Sequence, residues 1–381
     1  MRWLRAAGCG LLIVCLTVGC SGSPEVQEMA YATSIGFDYR DGKWIAYAQV
    51  VNFDNIARSE RLEIGKEIPV WIGKGEGETI TGALTDVSRT SQMRMFWGHV
   101  KAIIVSENVM RKGVKEVYRA VNRYREVRYN ILVFGTKRPL MDILTQKSML
   151  NMSPIDAILF HKTQMNSPYS FVVPMTGNRI IANLNEPGQT GVLPSIDLDT
   201  NDWREDKTPR PMFALSGFYF FRDYKMIDWM SLMQLKGMRW SMRNLDRIPT
   251  KIPLDGPPGA VIIFHRPKMS IRPVYAGGEV RFRLRVSTKG SAAELLQDLS
   301  VDRMREKAAE VIRDEIETTF REAVKLRCDP FRLQEALYRD NPKLFRELSR
   351  ERPFFLEEDS IGGIDVDVTI INMGKYKGSS P

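Results

Sequence analysis

The chain has 381 residues, a formal net charge of +9, three histidines and four cysteines. That length can bury two or three hydrophobic cores. Cys9, Cys15 and Cys20 crowd the start and Cys328 stands alone far downstream, so loss or modification of the leading segment excludes an intrachain disulfide framework.

Arg2 and Arg5 precede the apolar stretch GCGLLIVCLTVG. It is too short to span a bilayer, which needs about 20 apolar residues, and has the layout of an export signal over residues 1–19. Thr17-Val18-Gly19-Cys20 resembles a bacterial lipobox. In that reading cleavage after Gly19 leaves Cys20 with a thioether-linked diacylglycerol, and two acyl chains hold stably at about 0.8 kcal/mol per buried CH₂. An ordinary signal with a chance cysteine is the alternative. No later apolar run is long enough to cross a membrane, so the mature chain is expected to be anchored at a membrane surface rather than inserted. Its basic balance favours anionic lipid, and the export route sets nucleic acid aside.

The next stretches alternate. MAYATSIGFDY and KWIAYAQVVNF read as two strands joined through the turn RDGK. GKGEGETITGALTDVSR reads as a glycine-rich flexible turn and then a helix capped by Thr79 or Thr81, with Leu84 and Val87 on one face. A phosphate-binding loop would need GxxxxGK[ST], and Lys74 falls between the first two glycines instead. MFWGHVKAIIVSE is expected as a buried strand, and ENVMRKGVKEVYRAVNRYREVRYNILVFG as one or two helices ending in another strand. Alternating β and α elements call for mixed sheets with helices packed on them.

Residues 185–212, rich in Pro, Gly, Asp and Asn, break this pattern. The expected organisation is an N-terminal α/β domain over 20–195, a linker over 196–212, a middle domain over 213–262 and a C-terminal α+β domain over 263–381. The middle segment FALSGFYFFRDYKMIDWMSLMQLKGMRWSM has strand character first and a helix later. In the last unit EVRFRLRVS alternates strictly, with Val280, Phe282, Leu284 and Val286 against Arg281, Arg283 and Arg285. GIDVDVTIINMG does the same, with Ile364, Val366, Val368 and Ile370 against Asp365, Asp367 and Thr369. Between them Met304, Ala308, Val311, Ile312, Ile316, Phe320 and Val324 recur at helical spacing. The arginine row and the aspartate pair are expected on adjacent strands of one sheet, compensating each other, or as two separate solvated faces.

The candidate chemistry is sparse. His99, His161 and His265 lie far apart, with no HExxH spacing and no Cys/His cluster for zinc. There is no GxSxG elbow, and no histidine lies near Cys328 in sequence. Neither catalytic residues nor a metal or cofactor are therefore assigned. Two groups are candidates for partner binding: the charged cluster Arg123, Arg125, Glu126 and Arg128, and the aromatic positions Trp229 and Trp240 with Leu232, Met233 and Met238. The first is either a docking surface or a solvated helix end, and the second either an interface or core.

The order of these motifs resembles the Ger(x)C family, the lipoprotein C subunits of bacterial spore germinant receptors. The resemblance runs from EVQEMAYATSIGFDY through GEGETITGALTDVSR, FWGHVKAIIVSENVMRKGV, RYREVR, PLMDIL, ALSGFYFFRDYKMIDWM and CDPFRLQEALYRDNPKLF to VDVTIINMG. Ser21-Gly22 stands where the family often has Trp-Asp, and Tyr124 where an acidic residue is usual. The resemblance implies an α+β, multidomain, non-enzymatic protein, lipid-anchored through Cys20 at the outer face of the spore inner membrane. Its partners would be the integral membrane A and B subunits. A solute-binding lipoprotein and an envelope-processing enzyme are the other classes considered.

Overall fold

The computed structural model describes residues 3, 29–51, 69–124, 126–128, 130–149, 157, 159–160, 170–253, 258–277, 279–297 and 300–372. The first strands are β1 (Met29–Arg40) and β2 (Lys43–Val50), an antiparallel pair closed by Asp41 and Gly42 at φ 50° and 78°. Positive φ at both turn residues gives the tight hairpin whose twist matches that of its strands. The sequence stretch RDGK marks this turn correctly.

The glycine-rich segment is not a flexible turn. It forms β3 (Trp71–Gly77), an edge strand paired with β2, and helix α1 (Ile80–Arg89) folds back over it. A Cβ on Gly75 would stand 2.4 Å from the Ala83 carbonyl oxygen, and one on Gly77 2.6 Å from the Ala83 nitrogen. The glycines let a helix lie directly on a strand. Thr79 caps α1, its Oγ1 accepting the Gly82 N–H at 3.0 Å.

MFWGHVKAIIVSE divides into β4 (Arg94–Phe96) and β5 (Ala102–Ser106), both parallel to β1. Helices α2 (Glu107–Lys112) and α3 (Lys115–Arg123) cross over to β6 (Leu132–Thr136), and α4 (Leu140–Thr145) follows. Then come β7 (Met175–Thr176), α5 (Gly177–Asn185) and β8 (Gly191–Asp199). After a small hairpin of β9 (Arg204–Glu205) and β10 (Thr208–Pro209), β11 (Met212–Arg222) and β12 (Lys225–Ser231) return to the main sheet. That sheet has ten strands, in order β12-β11-β8-β6-β5-β1-β2-β3, with β4 on β1 and β7 on β6. Its parallel centre is flanked by antiparallel hairpins at both edges.

The small sheet contains β13 (Ile248–Pro253), β14 (Pro258–Ala276), β15 (Glu279–Leu295) and β16 (Ile361–Asn372) in that order. Helix α6 (Val301–Lys325) connects β15 to the parallel β16 through α7 (Leu333–Asp340) and α8 (Pro342–Glu351). The segment read as a linker thus carries the end of β8, a hairpin and the start of β11. The strands of 213–262 are shared between the two sheets, because the apolar runs of β11 and β12 extend the large sheet while β13 begins the small one. The helix expected late in that stretch is only a 3₁₀ turn, Lys236–Ser241.

The charged sheet face behaves as its alternation requires. Phe282, Leu284 and Val286 are buried beneath α6, and Arg283 Nε meets Asp365 Oδ2 across β15 and β16 at 3.0 Å. Asp367 lies opposite Ser287. The architecture is α+β with mixed sheets and packed helices. Among the described residues no helix is long and apolar enough to cross a membrane.

Candidate functional site

Side chains alternate across β5, so Ile103 and Val105 face α3 while Ala102 and Ile104 face α4. On the α3 side the sheet carries a cleft of about 240 Å³. Its floor includes Ile103, Val133, Leu193 and Phe221. One wall is the stripe of the N-cap Val114 with Val117 and Val121 of α3, and the other is Ile180 and Leu184 of α5. These spacings of three and four place each set on one helical face. The valines are short and α5 opens with Gly177, so the two helices do not close over the floor.

The polar side chains at the cleft are Tyr118, Asn122, Arg128 and Asn178, and Arg128 is the charged one among the described lining residues. The Gly177 N–H donates to the Ile131 carbonyl at 2.8 Å, which sets the start of α5 beside the segment bearing Arg128. The N-cap Thr176 makes no side-chain capping bond. No described lining residue is acidic, and Arg128 forms no ion pair among the described residues.

The candidates from sequence scatter. Cys20, Arg125 and His161 lie outside the described residues. Arg123 is exposed at the end of α3, and Arg128, exposed as well, borders the cleft. Glu126 accepts the Trp97 backbone N–H at 3.0 Å, pinning this segment to the strand region beside it. Trp229 is half-buried on β12, with Lys137 Nζ 3.4 Å from its ring centroid. Trp240 is fully buried and cannot be a docking side chain: its Nε1–H donates to Glu315 Oε2 at 2.8 Å. Met238 is likewise buried, whereas Met233 is exposed.

His99 packs edge-on against Tyr31, ring centroids 4.9 Å apart, and beside Phe96. Burial, then the positive charges of Lys101 and Arg128, hold its pKa below the usual histidine range. Each of these favours the neutral imidazole. His265 Nδ1 is 2.5 Å from the Asp246 carbonyl oxygen, a hydrogen bond that fixes its ring. Neither histidine lines the cleft.

Two family models match in order along the chain. "Spore germination protein N-terminal domain" covers residues 22–198, and "Spore germination B3/ GerAC like, C-terminal" covers residues 216–374. The chain belongs to the Ger(x)C family of spore germination proteins. Spore germination protein KC of Bacillus subtilis (strain 168) is 26% identical over 183 residues, 46% of this chain and 42% of that protein. The match thus spans less than half the length of this curated relative. The crystal structure of the GerBC protein superposes with a TM-score of 0.54 at 16% identity, covering 91% of this chain and 100% of that one. That likeness supports the fold.

Sequence reading missed what joins the two sheets of this Ger(x)C chain. Glu315 interrupts the apolar face of α6 and is buried with Arg239, which grips it by both nitrogens: Nη2–Oε1 at 2.7 Å and Nε–Oε2 at 3.1 Å. Lys236 adds a contact at 3.0 Å, and Arg239 also donates to Thr250 Oγ1. The Gly237 N–H donates to Thr319 Oγ1, and a Cβ there would stand 2.3 Å from the Glu315 carbonyl oxygen. A carboxylate on an otherwise apolar helix stripe was the available signal.

The family segment CDPFRLQEAL forms a second joint. Cys328 packs with the core of the large sheet, and Phe331 and Leu333 with that of the small one. Asp329 between them is completely enclosed. Burial pushes its pKa up to about 6, against the pull of the Gln334, Leu333, Arg332 and Phe331 backbone N–H groups. Burial also pushes the Cys328 thiol far up, so it is an inert core group rather than a nucleophile.

Proposed function

We propose that the chain is the C subunit of a nutrient germinant receptor. A lipid on Cys20 holds it at the outer face of the spore inner membrane, and it acts by contact with integral membrane A and B subunits. The observation that carries this reading is the succession of both germination-family domains along one chain, at 22–198 and 216–374. The lipobox-like TVGC agrees with it. A tether confines the chain to two dimensions beside its partners and raises their effective concentration without any new contact. Exposed Arg123 and half-buried Trp229 are the proposed contact positions, together with Arg125 and Arg128; Trp240 is withdrawn from that set.

The test is a deletion in spores of the source organism. Loss of one nutrient response, with germination through a receptor-bypassing trigger intact, supports the receptor role. Survival of every nutrient response after redundant receptors are also deleted refutes it. Cys20→Ala is expected to release the chain from membranes and weaken the response. Full retention and response in that variant would sink the anchoring part.

A further inference from the structure

We infer that the cleft between α3 and α5 is a binding site for a small carboxylate with a branched or aromatic apolar body. The inference stands on the cleft alone and does not depend on assembly into a receptor. Apolar cavities of about 150 Å³ take up benzene from water, and this cleft, at about 240 Å³, has room for a ring and a short appendage. Its floor and both walls are aliphatic or aromatic, with few polar groups to fix orientation, the usual composition of a small-molecule site.

The polar groups define the head of the ligand. Arg128 offers a planar guanidinium suited to a carboxylate. The first turn of α5 lies beside it through the Gly177–Ile131 hydrogen bond, and a helix start adds to the preference for negative charge. No described lining residue is acidic. An ammonium group would meet no counter-charge among the described lining residues, and the site selects a simple carboxylate over a zwitterion with the same body.

The experiment uses the full chain in lipid nanodiscs, with empty nanodiscs as control, and isothermal titration with phenylacetate, 2-phenylethanol and phenylalanine. Phenylacetate is expected to bind saturably at one site and phenylalanine about ten-fold more weakly. Val121→Trp fills the cleft from α3 and should abolish binding of all probes; Ile181→Trp does so from α5 if the first variant fails to fold. Arg128→Gln should weaken phenylacetate by about ten-fold and leave 2-phenylethanol unchanged. No saturable binding, or binding that the folded filling variants leave intact, overturns the site. Equal affinity for phenylalanine, or an equal response of acid and alcohol to Arg128→Gln, overturns the assignment of the head group.

Discussion

The two sheets bury themselves differently. The large sheet is covered on both faces, with α3 and α5 on one side and α4 on the other, so β5 reads AIIVS with every residue buried. Among the described residues the small sheet is covered on one face only. Its strands alternate, Phe282, Leu284 and Val286 inward and Arg281, Arg283 and Arg285 outward. A one-sided sheet states its orientation in its sequence, while a two-sided sheet hides which helix lies on which face.

Breaking the joint between the sheets should have the largest effect. Glu315→Ala leaves Arg239 buried without its carboxylate and should cost about 3–5 kcal/mol in denaturant unfolding. Combining it with Arg239→Met should cost less than the two single losses added together, because the stranded charge is gone. Additive losses would show that Arg239 and Glu315 do not act as a pair.

Asp329 gives the joint a pH dependence. Its pKa is about 6 in the folded chain against an ordinary 3.8, so the native state binds the proton more tightly. Its contribution is therefore fully present below pH 3.8 and lost as pH rises through 6. The shift is worth about 3 kcal/mol. Relative to Asp329→Asn, the parent should gain stability when unfolding is compared at pH 7 and then pH 4. A difference independent of pH would contradict this account.

Within the large sheet, Gly75→Val tests the close approach of α1 to β3. The added side chain meets helix backbone and should cost about 1–3 kcal/mol, seen as a lower denaturation midpoint. An unchanged midpoint would mean that the helix is not held against the strand. The smallest effect belongs to the open face of the small sheet. Arg283 and Asp365 are both well exposed, and Asp365→Lys should cost roughly 0.2–1 kcal/mol, less in high salt. A loss of several kcal/mol would mean that this face is covered in the free chain.

The same contrast explains what could be read in advance. The β15 and β16 alternation, the apolar stripe of α6 and the β1–β2 turn each follow from local periodicity. GKGEG did not declare itself as a strand, because its glycines serve a neighbouring helix, a tertiary demand. Trp240 looked like a docking residue because sequence cannot show the buried Glu315 that receives its N–H. The cleft was illegible for a similar reason: its lining comes from β5, β6, β8, β11, α3 and α5, and only folding brings those short side chains together. Of the sequence candidates among the described residues, Arg128 alone borders it.

The parallel pairing of β15 with β16 also bears on the order of events during folding. β13, β14 and β15 meet through successive antiparallel contacts, whereas β16 pairs with β15 only by closing the long segment that carries α6, α7 and α8. Closing so long a crossover is slow relative to local helix formation. Until it closes, the outer edge of β15 offers unpaired amides and carbonyls to any other chain. A nascent chain caught in that interval would be a natural client for a chaperone, and a refolding assay should show helix signal rising before the small sheet is complete.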